Sequence, residues 1–319
     1  MRRLTTDSAG ALRVEHVETR PAIHEEVMSI GWRERIAAYV ALTKPRIIEL
    51  LLVTTVPSMI VAARSFPSMR LVLFTLLGGT LGAAGANAIN CFVDRDIDEM
   101  MPRTRRRPLP MHRIAPRNAL AFGILLGVAS FVQLWATVNL IAAVLTAAAL
   151  LFYVFVYTIG MKRSTPQNIV IGGAAGAVPA LVGWAAVTGT VELPALVLFG
   201  IIFYWTPPHF WALSMRYEKD YAAAGVPMMP VVYGRKETAK HMLLYCFMLL
   251  AMCLAFFGVA RMGLIYLGAA LLLNAGFLWW SVKVYRKPTA RAAWGMFRFS
   301  IYYLALLFFA MAVDVLVVR

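Results

Sequence analysis

Cysteine, histidine and acidic residues are scarce in this chain. The three cysteines, Cys91, Cys246 and Cys253, show no CxxC or metal-ligand spacing, which argues against a disulfide framework. Long polar stretches are also missing. After position 40 no soluble segment exceeds about 27 residues, too few for a separate folded domain. The first 30 residues have no apolar core, so they make neither a signal peptide nor a spanning helix. Their acids, Asp7, Glu15, Glu18, Glu25 and Glu26, are foreign to a mitochondrial presequence. We expect a disordered cytoplasmic tail over 1–30 and one transmembrane domain over 31–319. The 16 acids face 31 Lys and Arg, a formal charge of +15. Such a charge invites a nucleic-acid reading. These bases, however, sit in short loops between apolar runs, where membrane topology and lipid headgroups account for most of them and no nucleic acid is needed.

What is abundant is hydrocarbon. Hydrophobic residues make up 61% of the chain, with a mean hydropathy of +0.70, the composition of an all-α polytopic membrane protein. Nine runs are long enough to cross about 30 Å of hydrocarbon, near 47–64, 71–92, 119–138, 140–159, 168–189, 193–213, 240–260, 262–282 and 298–317. If the loops alternate sides, 23 of the Lys and Arg from residue 31 onward fall on one side and four on the other. The positive-inside rule then places the N-terminus in the cytoplasm and the C-terminus outside. Gly78xxxGly82 and Gly172xxxGly176 permit close helix contact in lipid.

The loops are unequal. The outer connections, such as TVNL and ARMG, are minimal, whereas those after the second and sixth runs are long and rich in acids, Arg, Pro and Tyr. Chemistry therefore belongs at the cytoplasmic face. In NCFVDRDID, Asn90, Asp94 and Asp98 recur every four residues and share one face if the second helix continues. Carboxylates so placed repel unless a cation sits between them. Mg²⁺ suits the role, because it takes one or two carboxylates and fills its other positions with water and substrate phosphate oxygens. Arg103, Arg105, Arg106 and Arg107 follow directly, and guanidinium groups suit phosphate. Acids for a metal beside arginines for an anion describe a diphosphate site. The loop after the sixth run adds Glu218 and Asp220 as further metal ligands, with Arg216, Tyr217, Lys219 and Tyr221 as anion contacts.

This pattern resembles the UbiA-type intramembrane prenyltransferases, and within them the protohaem IX farnesyltransferase (haem O synthase) branch. The resemblance rests on LTKPR at 42–46, NxxxDRDIDxxMxRTRxRPLP at 90–110, YTxxMKRxTPQNIVIGG at 157–173, YWTPPHFWAL at 204–213 and DYxxAGVPMMPVV at 220–232. It implies a nine-helix UbiA-like bundle that takes farnesyl diphosphate and haem B as substrates and releases haem O. It further implies Mg²⁺ held by Asn90, Asp94, Asp98 and Asp220, with Lys44, Arg103, Arg106, Lys162 and Arg163 on the diphosphate. The wider family has a second aspartate four residues before Asp220, where this chain has Arg216. That puts a complete second metal site in doubt and offers Arg216 as a direct anion ligand instead. For haem, His209 in TPPHFW is the strongest axial or propionate contact, where Pro207 and Pro208 are expected to break the sixth helix. Two alternatives stay open: a related enzyme acting on an aromatic or quinone precursor, and a transporter or lipid-binding scaffold that uses the basic face. A bacterial cytoplasmic (inner) membrane is expected, with membrane lipid around the bundle and a haem A synthase or oxidase-assembly factor downstream.

Overall fold

The computed structural model describes residues 2–6, 12–16 and 30–317, with side chains over 30–45 and 53–317. The expected tail falls largely outside these residues. Within it, Arg2–Thr6 (β1) and Leu12–His16 (β2) pair as antiparallel strands, Arg2 opposite His16.

Twelve helices follow. A short helix, α1 (Trp32–Thr43), precedes α2 (Pro45–Ala63), α3 (Met69–Val93), the six-residue α4 (Arg95–Met100) and α5 (Pro116–Thr137). Next, α6 (Leu140–Leu151) runs directly into a π-helical segment, Phe152–Met161. Then come α7 (Asn168–Thr188), α8 (Leu193–Arg216), the short α9 (Glu218–Ala223), α10 (Met229–Val259), α11 (Leu264–Arg286) and α12 (Ala290–Val317). Among the described residues eight helices are long and apolar enough to cross a membrane. The ninth expected run corresponds to the 19-residue α2, of which Val53–Ala63 is apolar.

Chain order sets spatial order. From α3 through α5, α6, α7, α8, α10 and α11 to α12, each long helix packs on the next, and α2 closes the ring by packing on α12, α3 and α7. Without a hydrophobic drive between helices in lipid, such packing depends on close approach. A Cβ on Gly85 would lie 2.7 Å from the Gly123 carbonyl oxygen of α5, and one on Gly78 would lie 2.3 Å from the Leu134 side chain. Gly82 and Gly172 are likewise in contact, with Thr146 and Tyr157, whereas Gly176 faces open space.

Two features differ from the sequence expectation. Pro207 and Pro208 do not break the sixth run: α8 passes through both. Neighbouring bonds hold it there, with Thr206 Oγ1 donating to the Ile202 carbonyl (2.8 Å) and Trp205 Nε1 donating to the Ser300 carbonyl of α12 (2.9 Å). The run at 240–260 begins earlier, at Met229, and kinks at Gly234, whose φ of 75° suits glycine.

The two ends of the bundle differ. At the sparsely charged end, Arg64 donates to the Ala260 and Arg261 carbonyls. Asp314 of α12 accepts from the backbone N–H groups of Gly263 (2.6 Å) and Tyr266 (3.0 Å), capping α11. The other end gathers the long basic loops and the motif residues.

Candidate active site

The helical ladder of α3 carries almost unbroken into α4. Asp94 is the hinge residue (φ −89°, ψ 3°), yet its N–H still reaches the Asn90 carbonyl (2.9 Å) and its carbonyl still accepts from Asp98 (2.9 Å). Asn90, Asp94 and Asp98 therefore stay stacked on one face, as their spacing predicts. All three are buried, Asp94 at 0% and Asp98 at 1% exposure. Asp96 points away and pairs with Arg163 through two bonds of 2.6 and 2.7 Å. That pairing holds the Asp96 carboxyl below its ordinary value and the Arg163 guanidinium above its own.

Cations from three segments converge on the stack. Lys44, in the left-handed backbone conformation between α1 and α2, donates its Nζ to Asn90 Oδ1 (2.6 Å). Burial pushes the Lys44 amine below the usual lysine value, and the nearby Arg107 and Lys162 lower it further. Lys162 Nζ pairs with Asp94 Oδ2, and Arg107 Nη1 donates to the two Asp98 oxygens at 2.9 and 2.7 Å. Asn90 Nδ2 bridges Asp94 Oδ2 (2.7 Å) and Thr158 Oγ1 (3.1 Å). Thr158 in turn donates to the Tyr153 carbonyl five residues back (2.8 Å), a bond made available by the π segment.

These groups border a cavity of about 110 Å³. Its polar wall carries Lys44, Asn90, Asp98, Arg103, Arg107 and Lys162, and its aromatic wall Tyr153, Tyr157, Tyr221 and Phe210. Arg103 donates to the Tyr221 hydroxyl (2.7 Å) and lies over the Tyr217 and Tyr221 rings at 5.3 and 4.9 Å.

Other expected site residues lie elsewhere. Arg106 is exposed and does not line the cavity. Arg163 is held outside it by Asp96, 3.7 Å from Asp94 Oδ1. Arg216 is exposed and stacks on the Trp294 ring (5.1 Å). Asp220 is half-buried on α9 and absent from the cavity wall, while Glu218 pairs with Arg235 (2.5 Å). His209 is buried, stacked on Trp205 (4.2 Å) and near Phe297 (4.7 Å), with Nδ1 2.6 Å from Ser300 Oγ. Its neighbour Phe210 reaches the cavity. In the sequence Tyr153, Tyr157 and Thr158 have no assigned role, and Arg107 stands only as one of four arginines suited to phosphate. Tyr221, expected as an anion contact, does line the cavity.

The stack fits Mg²⁺. Asp94 Oδ1 is buried without a hydrogen-bond partner, and the other donors are hard oxygens of Asn90 and Asp98. Among the described residues no group of three or more His, Cys, Asp or Glu side chains could hold a metal by itself. Two carboxylates and an amide suit an ion that completes its shell with water and substrate oxygens.

A polytopic helical bundle that sets buried carboxylates, ringed by Lys and Arg, beside an aromatic-walled cavity is the architecture of an intramembrane enzyme acting on diphosphates. The model of the UbiA prenyltransferase family matches residues 51–311. A relative from Nocardia farcinica, protoheme IX farnesyltransferase, is 51% identical over 283 residues, 88% of this chain and 90% of its own. A solved digeranylgeranylglyceryl phosphate synthase superposes with a TM-score of 0.74 at 18% identity, covering 88% of this chain and 99% of that one. A UbiA homolog from Archaeoglobus fulgidus, solved with DMAPP and Mg²⁺, superposes at 0.60 with 16% identity, over 86% and 99% of the two chains. This chain belongs to the UbiA prenyltransferase family and is a multi-pass membrane prenyltransferase.

Proposed function

We propose that this enzyme transfers the farnesyl group of farnesyl diphosphate to the 2-vinyl group of haem B, giving haem O and diphosphate. The observation that carries the diphosphate half is the stack of Asn90, Asp94 and Asp98 bonded directly to Lys44, Lys162 and Arg107, with Asn90, Asp98, these three cations and Arg103 lining one cavity. The acceptor half rests on the name of the relative that matches this chain at 51% identity over 88% of its length.

Mg²⁺ held by Asn90, Asp94 and Asp98 would supply charge neutralisation for the diphosphate oxygens. The chain's own residues do the rest. Lys44, Lys162, Arg103 and Arg107 stabilise the negative charge that develops as the farnesyl C1–O bond breaks and its electron pair leaves with diphosphate. Tyr153 and Tyr157 present aromatic rings beside that bond, where an allylic cation gains from their π faces. The terminal vinyl carbon bonds to farnesyl C1. Water then adds its oxygen to the other vinyl carbon and gives up a proton, producing the hydroxyethylfarnesyl side chain. The cavity is smaller than the roughly 300–1,000 Å³ of typical ligand pockets, so it accommodates the diphosphate head while isoprenoid and tetrapyrrole extend beyond it.

His209, adjacent to cavity-lining Phe210, serves the haem as axial or propionate contact, and Arg216, stacked on Trp294 of α12, lies two turns along α8. Asp220 joins the metal only if α9 rotates. The bundle spans a bacterial inner membrane nine times, N-terminus inside, with 1–30 as a cytoplasmic tail and 31–319 as one domain. A haem A synthase or oxidase-assembly factor receives the product.

Purified protein given farnesyl diphosphate, Mg²⁺ and haem B should form haem O. Product appearing only with a hydroxybenzoate-type acceptor would refute the haem assignment.

A further inference from the structure

Each donor side chain of the stack is already matched to a cation. Asn90 Oδ1 is held by Lys44 (2.6 Å), Asp94 Oδ2 by Lys162, and both Asp98 oxygens by Arg107 (2.9 and 2.7 Å). The same three cations line the cavity where a diphosphate would sit. A divalent ion drawn onto these oxygens competes with the ammonium and guanidinium groups for their lone pairs, and within the stack Asp94 Oδ1 alone is without a hydrogen bond. Conversely, a diphosphate cannot draw full charge from cations locked to carboxylates.

Charge counting favours joint loading. Two carboxylates against the four cations Lys44, Lys162, Arg103 and Arg107 leave the site at +2. Mg²⁺ alone raises it to +4, whereas Mg²⁺ with a diphosphate of charge about −3 brings it to +1.

We propose that Lys162 and Arg107, with Lys44, are relocating counter-ions. They hold the oxygen stack in the unloaded enzyme and transfer to the diphosphate when metal arrives, so that metal and anion are admitted together and only weakly apart. Reach and freedom support the motion. The Lys162 and Arg107 side chains keep 15% and 30% exposure on flexible stems, and Arg107 sits in a run of turns rather than in a helix. Arg163 differs: it is fixed by Asp96 and by the Val93 carbonyl (3.0 Å) outside the cavity. This rests on the diphosphate site proposed above and adds Arg107 and the coupling to it. By linkage the coupling is reciprocal.

The test is calorimetry on the purified full chain in detergent, using Mg²⁺ alone, inorganic diphosphate alone, and both. Wild type should bind either one weakly and the pair about tenfold or more tighter. Lys162→Gln and Arg107→Gln should bind Mg²⁺ alone about tenfold tighter than wild type, with weaker binding of diphosphate. Unchanged or weaker Mg²⁺ binding in both variants overturns the exchange, even where wild type binds the pair. Absence of any binding of the pair to wild type overturns the diphosphate site itself. Because each variant leaves a buried carboxylate without its counter-ion, thermal unfolding with and without Mg²⁺ is read in parallel. The variants should gain more from Mg²⁺ than wild type, and an equal or smaller gain also overturns the exchange.

Discussion

Asp94 and Asp96 are two residues apart at the α3–α4 junction and carry the same charge, yet their surroundings are opposite. Asp94 is fully buried, bonded to Asn90 and paired with Lys162. Replacing it with Asn removes the charge but little volume, and leaves the Lys162 ammonium without its counter-ion. Breaking a buried pair from one side costs roughly 3–5 kcal/mol, and the 15% exposure of Lys162 brings the expected cost down to about 2–3 kcal/mol. Asp96 is 61% exposed and its Arg163 partner 37%, so water screens that pair and Asp96→Asn should cost about 0–1 kcal/mol. Activity should separate further. In the proposed reaction Asp94 contributes charge where the leaving group departs, and loss of one such electrostatic contact typically lowers turnover by about 100-fold or more. Asp96→Asn should stay within about threefold, since it touches neither the cavity nor its cations. Thermal unfolding in detergent, with haem O formation followed chromatographically, reads both quantities on the same preparations. Equal losses of turnover in the two variants would refute the reasoning, and so would an active Asp94→Asn enzyme.

Arg103→Ala removes a cavity cation and its bond to Tyr221. It should raise the apparent farnesyl diphosphate requirement more than the haem requirement; steady-state kinetics showing equal rises would exclude a diphosphate role. Gly85→Ala drives a Cβ to 2.7 Å from the rigid Gly123 carbonyl and should destabilise by about 1–3 kcal/mol. Gly79→Ala, with nothing within 4 Å, is the matched control for thermal unfolding and should be near neutral. A reporter fused after Arg319 should lie outside the cytoplasm, and a cytoplasmic signal would mean that the chain crosses the membrane an even number of times.

The readable parts of this protein are those that a single periodicity carries. Apolar runs of membrane length reappear as helices within a few residues, except where α10 begins at Met229 and α12 at Ala290, because their first turns carry too many polar and charged residues to register as hydrocarbon. The Asn90, Asp94, Asp98 stack was legible for the same reason, since one helix spaces all three. Where no repeat governs the backbone, the choice among similar residues is made by tertiary bonds. Between Met101 and Arg113 the chain runs through turns in which Thr104 Oγ1 ties back to the Asp98 carbonyl (2.9 Å) and Arg107 N–H to Thr104 (2.9 Å). Those turns bring Arg107 onto Asp98 and leave Arg106 exposed, a selection that four nearby arginines give no means to foresee.

The second motif makes the same point more sharply. Helix α8 ends at Tyr217 (φ −106°, ψ 23°), and α9 restarts at Glu218, whose carboxylate is drawn to Arg235 on α10. With Glu218 anchored there, Tyr221 faces the cavity and Asp220 does not. Arg103 there meets two tyrosine rings and a phenolic oxygen rather than the acids of the second motif. The carboxylates and the three cations bonded to their stack are thus confined to the α3–α4 side of the site, and Tyr153, Tyr157, Tyr221 and Phe210 supply its aromatic wall. That division suits a leaving anion and an allylic cation, which must separate without either being drawn back.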